Sequence, residues 1–403
     1  MRKQHSGRLA RRPYKFIAAV MISVMLLALA GCSRALPALE ITGDCEGYYI
    51  AAGVTLEEAI AKAQPRAAEF DVFLIGNDGM IARLSGDELD GCEVVYSKEN
   101  AWEIKSELHP PSARVKDLAR IAVVGVSEDA RAGQLLLQDT LYLLKEEGTS
   151  TKNNRSVTVY TTRLRIPLPE GENIEGLPDI LADLPDLIIT ETADGALEAL
   201  GQGGRVMVVE LDGLGWEMLQ RAGVEYAPWL HSLGPDRALA AYPPISPTGL
   251  ASMLTGKTPD GHGVHDRETR EMACEDIFAK AEKMGKTCAY IEGSHTLLST
   301  SVAPVLSLND EEVLANAQQA LANKPDLMFV HFHGIDDTAH DYGPYAGQTL
   351  QKIREIDGYV QALCEGFGGR VIITADHGLH ETEEGGDHRQ FLPEDMIVPY
   401  IIK

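Results

Sequence analysis

The sequence predicts an α/β protein: a mostly parallel sheet flanked by helices on both faces, with a smaller N-terminal α+β domain. Three observations carry that prediction. "RVMVVELDG", "LMFVHFHGIDD" and "RVIITADHG" share one form, an apolar run followed by acidic or histidine residues and a turn. Helical patterns such as "EDIFAKAEKMG", "EEVLANAQQALAN" and "TLQKIREIDGYVQALCEGF" alternate with them, as the crossovers of a parallel sheet do. The first third of the chain instead mixes short strand-like pieces with Gly-Asp turns.

The 403 residues suffice for more than one domain. Residues 1–31 read as a lipoprotein signal peptide. Arg2, Lys3, Arg8, Arg11, Arg12 and Lys15 precede "FIAAVMISVMLLALAGC", an apolar run that is short for a membrane span and ends in small residues. "Leu29-Ala30-Gly31-Cys32" resembles a bacterial lipobox, so Cys32 is the expected lipidation site. The expected location is the extracytoplasmic face of a bacterial membrane, held by that lipid. An uncleaved anchor helix is the alternative. Cleavage before Cys32 would remove six basic residues from the 36 present, leaving 30 against 60 acidic ones, a formal charge of −30. Such a surface repels phosphate backbones and argues against duplex nucleic acid as a partner.

Residues 33–115 read as the small accessory domain, with "TLEEAIAKAQPRAAEF" helical and "DVFLIGND" and "CEVVYSKE" as strands. Cys45 and Cys92 can pair or stay free there. Residues 116–203 read as a connecting α/β segment, with "ARIAVVGV" a strand, "AGQLLLQDTLYLLKEEG" a helix, and "SVTVYTTRLRIPL" and "PDLIIT" strands. Residues 204–403 form the expected core. Cys274, Cys288 and Cys364 lack CxxC spacing, which argues against a thiolate zinc site.

Ligands of open α/β sheets bind outside the carboxyl ends of the strands, and the polar residues of this core collect there. Asp212 follows "VMVVEL". Asp336 and His340, four apart in "GIDDTAHDYGP", share one face of a helical turn, with Asp337 as the competing carboxylate. Asp376 and His377 follow "RVIIT". His388 lies in a Gly-rich loop, with His380 and Asp387 as rivals. Each alone is explained by a turn or a cap. Together they supply three aspartates and three histidines, a donor set suited to zinc, with manganese the alternative. Ser246-Pro247 matches an N-cap with proline at the first helical position, and Gly256 suits the end of that helix. A hydroxyl at a helix N-terminus beside a cation can also act as a nucleophile.

The motifs "VELDGLGW", "SPTGLASMLTGKTPDGHGV", "GIDDTAHDYGP", "TADHG" and "GGDH", in this order over residues 204–403, resemble the alkaline phosphatase superfamily, most closely its nucleotide pyrophosphatase/phosphodiesterase-like branch. The resemblance implies an alkaline phosphatase-like fold and two divalent metal ions. It places Ser246 as nucleophile, with Asp212, Ser246, Asp376 and His377 around one ion and Asp336, His340 and His388 around the other. Thr248 is the rival hydroxyl, and His262 matches a residue that is structural in the family. The implied activity is hydrolysis of a small phosphate ester, diester or monoester, through a phosphoseryl intermediate. An arginine expected of sulfatases after the nucleophile is missing, and no asparagine equivalent to the one that holds a phosphate oxygen in diesterases can be placed. A sulfatase, a phosphomutase relative and a surface-binding lipoprotein without catalysis are the competing readings.

Overall fold

The computed structural model describes residues 36–50, 53–125, 133–137, 139–167 and 184–403. The signal-peptide and Cys32 expectations lie outside them. Among the described residues, no helix is long and apolar enough to cross a membrane.

The N-terminal part is built on an eight-stranded sheet. Its order is Tyr48–Tyr49, Glu40–Gly43, Leu118–Gly125, Phe70–Gly76, Met80–Ser85, Arg155–Pro167, Thr140–Lys152, Gln134–Leu136. A three-stranded sheet and the helix Leu56–Ala63 cover it. That helix stops at Gln64, whose φ is 55°, because Pro65 follows and disfavours helical geometry in the residue before it. Cys45 and Cys92 are both buried free thiols.

Two expectations are corrected here. Leu118–Gly125, Gln134–Leu136, Thr140–Lys152 and Arg155–Pro167 are strands of this N-terminal sheet rather than parts of a connecting α/β segment. The stretch read as a helix, "AGQLLLQDTLYLLKEEG", instead supplies Gln134–Leu136 and much of Thr140–Lys152. The reason lies in two-sided burial. Leu141 and Leu143 pack with the C-terminal core while Tyr142 and Leu144 pack in a separate cluster on the other face. A strand buried on both faces loses its alternation and reads as a continuous apolar run. The hairpin turns at Asn153-Asn154, both at positive φ (53° and 62°), which suits the twist of the flanking strands.

The C-terminal core is a second eight-stranded sheet, ordered Leu187–Ile188, Asp236–Leu239, Ile397–Ile402, Arg370–Thr374, Val206–Leu211, Leu327–Phe332, Cys288–Glu292, Val305–Leu306. Every pairing is parallel except the two made by Ile397–Ile402. The mostly parallel α/β expectation therefore holds, although the sheet begins at Leu187 rather than at residue 204. Val206–Leu211, Leu327–Phe332 and Arg370–Thr374 are adjacent central strands, almost wholly buried. Their carboxyl ends thus open side by side, and the polar residues that follow each strand meet there.

The helix Ser246–Thr255 packs against this edge without a spacer. At Gly249 an added Cβ would stand 2.6 Å from the Asp376 carbonyl oxygen and from the Asp376 Cβ. Only hydrogen fits, and this contact sets the distance between the helix and the strand end. Gly249→Ala should cost about 1–3 kcal/mol, the usual range for overpacking a filled core, and should also impair any activity that needs both elements. Chemical denaturation of the two proteins would show it, and an unchanged midpoint would contradict the packing argument.

Candidate functional site

Asp212 directly follows the Val206–Leu211 strand, and its backbone N–H donates to the Phe332 carbonyl at 3.0 Å, extending the ladder by one residue. Gly213 then turns the chain at φ 74°, close against Asp336, and its N–H donates to Asp376 Oδ1 at 3.1 Å. Asp212, Asp376 and His377 are brought together. His377 Nε2 lies 3.6 Å from Asp212 Oδ1 and 3.3 Å from Asp376 Oδ2.

Ser246 Oγ stands 3.3 Å from the same His377 nitrogen. The serine occupies the first turn of its helix, Ile245 precedes it in extended conformation, and no side-chain hydrogen bond caps the helix. The cap expected of Ser246 is therefore not made, and its hydroxyl faces the site instead. Gly256 closes the helix at φ 72°, as expected. Thr248 is fully buried and donates to the Val264 carbonyl at 3.3 Å, away from the aspartates.

The remaining candidates gather on the other side of His377. Asp336, His377 and His388 offer ligand atoms within 4.8 Å of one another, as do Asp212, Asp376 and His377. His377 thus belongs to both groups, and its ring stacks on His388 at 3.9 Å. His340 sits at the rim, its Nε2 3.5 Å from Asp336 Oδ1 and its ring 5.1 Å from His388.

Cation binding is tested by what the donor atoms do. Asp212 Oδ1, Asp336 Oδ1 and Asp376 Oδ2 are buried without a hydrogen-bond partner. Orphaned carboxylate oxygens are costly in a protein interior unless something positive meets them. The Nδ1 atoms of His377, His340 and His388 stand 3.1, 2.8 and 2.6 Å from the carbonyls of Gly378, Gly386 and Pro244. These carbonyls accept the Nδ1–H protons, so each Nε2 presents a lone pair to the centre, the orientation that metal-binding histidines need. Burial pushes His377 down to about 4 and, with His377 beside it, His388 down to about 2, so both are neutral near pH 7. Burial and the Asp212 charge push the Asp336 and Asp376 carboxyls up. The residues fit a pair of divalent ions.

Several residues here escaped the sequence reading. Arg267 donates to His388 Nε2 at 2.8 Å, so one cation already stands against that lone pair. Behind Asp212 lies a buried set made of Glu210, His331, His333 and Glu292. Parallel pairing sets Glu210 opposite His331, and Ile291 opposite Val330. Three neighbouring strands therefore carry polar residues at the same level. Burial works against the charge on Asp212, but His331 and His333 hold its carboxyl well below the usual range. Burial pushes Glu210 up to about 8. The missed signal was local: "VELD" and "VHFH" place polar residues two apart in strands that are otherwise apolar, which aims both toward one face.

The fold and site define an α/β protein whose parallel sheet gathers buried carboxylates and neutral imidazoles around one serine. Residues 206–286 and 295–399 match the type I phosphodiesterase / nucleotide pyrophosphatase family, so this part of the chain is similar to that family, within the alkaline phosphatase superfamily. It is 25% identical over 172 residues to GPI ethanolamine phosphate transferase 3 of Eremothecium gossypii, covering 37% of this chain and 17% of the relative. It is 22% identical over 179 residues to venom phosphodiesterase CdcPDE of Crotalus durissus collilineatus, covering 35% of this chain and 22% of the relative. The chain thus spans about a fifth of the length of these relatives. Among solved structures, a 2-O GAG sulfatase aligns with a TM-score of 0.41 at 13% identity, over 49% of this chain and 64% of that one. The murine ectonucleotide pyrophosphatase / phosphodiesterase 5, solved in complex with AMP, aligns with a TM-score of 0.38 at 16% identity, over 45% and 59%. These two likenesses are too slight to bear an argument.

His262 is structural in its contacts. Its Nδ1 accepts from the Val264 N–H at 3.1 Å and its Nε2 lies 3.0 Å from Ser252 Oγ, fully buried. Burial pushes it down to about 4 from the ordinary 6.5. The unfolded chain then binds a proton that the folded chain refuses. The stability His262 supplies is full above pH 6.5 and is lost as pH falls through 6.5 toward 4. Denaturant midpoints at pH 7.5 and pH 5 should drop more steeply for the wild type than for His262→Gln. Equal slopes would contradict the burial assignment.

Proposed function

We propose that this protein hydrolyses small phosphate esters through a phosphoseryl intermediate at Ser246, with the help of two divalent metal ions. The observation that carries the reading is the serine itself: its hydroxyl makes no cap and stands 3.3 Å from His377 Nε2, which in turn lies 3.6 and 3.3 Å from the unpartnered Asp212 Oδ1 and Asp376 Oδ2.

Asp212, Asp376 and His377 would hold one ion beside Ser246, and Asp336, His340 and His388 the other. Bound there, zinc or manganese would favour the ionised serine and stabilise charge that develops on the phosphoryl oxygens. The chain's own residues supply the rest. The helix Ser246–Thr255 places the hydroxyl at the sheet edge, and its first turn presents positive potential to an anion. Ser246 attacks phosphorus in line and the ester oxygen leaves, so the phosphoryl group rests on Oγ until water attacks it. His377 and His388, kept neutral by burial, do not compete as proton donors. Arg267, at the mouth, can hold a non-bridging phosphate oxygen, the role for which no asparagine was found. The family match over residues 206–399 supports phosphoester chemistry, and among the proteins this chain is similar to are both a phosphodiesterase and GPI ethanolamine phosphate transferases. Transfer shares the first half of this mechanism and differs only in the acceptor. Cys32, if lipidated, would tether the enzyme to a membrane surface.

Ser246→Ala should lower kcat on p-nitrophenyl phosphate or its bis ester by at least roughly 10³-fold, the scale seen when a nucleophile is removed, with the circular dichroism spectrum unchanged. Full turnover by this variant would reject Ser246 and point to Thr248 or another mechanism. Arg267→Ala should raise KM by roughly 10- to 100-fold, as expected for one charge-assisted hydrogen bond to phosphate. An unchanged KM would remove Arg267 from the binding site. Chelation should abolish turnover, and zinc or manganese should restore it.

A further inference from the structure

The set behind Asp212 points to another bound ion. His331 Nε2 lies 3.3 Å and His333 Nδ1 3.0 Å from the same atom, Asp212 Oδ2. The three ligand atoms all fall within 4.8 Å of one another. Imidazole and carboxylate donors bound at about 2.0–2.1 Å to one tetrahedral ion stand roughly 3.3 Å apart, so the two contacts to Asp212 Oδ2, one of them also a hydrogen-bond distance, are compatible with a coordination shell.

Independent observations agree. His331 is fully buried, and neither of its ring nitrogens makes a hydrogen bond. Carboxylate oxygens of Asp212, Glu292 and Glu210 nevertheless stand 3.3, 2.8 and 3.6 Å from its ring nitrogens, none in hydrogen-bond geometry. On the far side of both rings stands one carboxylate. Glu292 Oε1 lies 2.7 Å from His333 Nε2 and 2.8 Å from His331 Nδ1, the second an ion-pair contact without hydrogen-bond geometry. Glu292 is itself fixed by the Tyr290 hydroxyl and by the Gly293 N–H at 2.9 Å. A carboxylate behind an imidazole is the usual support of a metal-binding histidine. The two rings lie 3.8 Å apart and tilted by 33°. An ion could arrive through a cavity of about 460 Å³ lined by His333, Gly293, Asp310, Asp337 and Lys352.

We propose that Asp212, His331 and His333 bind a divalent transition-metal ion, zinc or manganese, distinct from the pair assigned to catalysis, with Glu292 as the carboxylate that orients both imidazoles. Asp212 then serves both sites: Oδ2 faces His331 and His333, and Oδ1 faces His377. The additional ion fixes the rotation of Asp212 and so positions a ligand of the catalytic pair. The site shares Asp212 with the proposed catalytic centre but stands on its own observations.

The test is metal content and location in the whole protein, loaded with zinc or manganese, dialysed, and measured by plasma mass spectrometry. His331→Gln and His333→Gln should each retain one ion fewer than the wild type. Glu292→Gln should keep the fold and weaken that ion by roughly 10- to 100-fold, the usual effect of removing such a support. Anomalous diffraction from zinc-loaded wild-type crystals should show a peak between Asp212, His331 and His333. It decides the matter even if a variant fails to fold. That peak without peaks at Ser246 and His388 would keep this site and sink the catalytic reading. Peaks only at Ser246 and His388, or an unchanged ion count in both histidine variants, would overturn the present proposal.

Discussion

Three carboxylates, Asp212, Asp336 and Asp376, converge on the end of one parallel sheet, each with one buried oxygen that has no hydrogen-bond partner. Like charges in a dry interior repel one another strongly, and burial drives two of these groups toward their neutral forms. The arrangement is stable only when positive charge meets it. The guanidinium of Arg267, set against His388, supplies one such charge, and bound cations would supply the rest. The fold answers it too. Adjacent central strands deliver the groups, and the close approach of Gly249 to Asp376 brings the serine helix to the same spot.

The sequence exposed this part of the molecule well because the signal repeats. An apolar strand followed by acidic or histidine residues recurs three times, and a parallel sheet necessarily collects those endings on one edge. What it concealed follows a different rule. Glu210, His331 and Glu292 lie within strands, one residue short of the turn, and look like isolated polar interruptions until strand order sets them side by side. Arg267 comes from a loop, whose path no periodicity announces. Ser246 shows a third case, since Ser-Pro is locally a good helix start and only the surrounding fold turns its hydroxyl away from that use.

The N-terminal half was read less accurately, again for a physical reason. Leu141 to Leu144 are buried on both faces, one against the C-terminal core and the other within the N-terminal sheet. Two-sided burial erases the alternation that identifies a strand. The same leucines explain how the halves are joined: the long hairpin buries one face of itself in the C-terminal core, and Arg165 pairs with Asp260 at 3.2 Å across the same boundary.

The central claim is chemical: Ser246 becomes covalently phosphorylated during turnover. Acid quenching of the metal-loaded enzyme in the steady state, followed by peptide mass spectrometry, tests it most directly. The account predicts one phosphoryl group on the peptide that carries Ser246, with the modified atom at that serine. A substrate-turning-over enzyme whose Ser246 peptide stays unmodified under conditions that trap the intermediate, or whose phosphoryl group sits on Thr248, would contradict it.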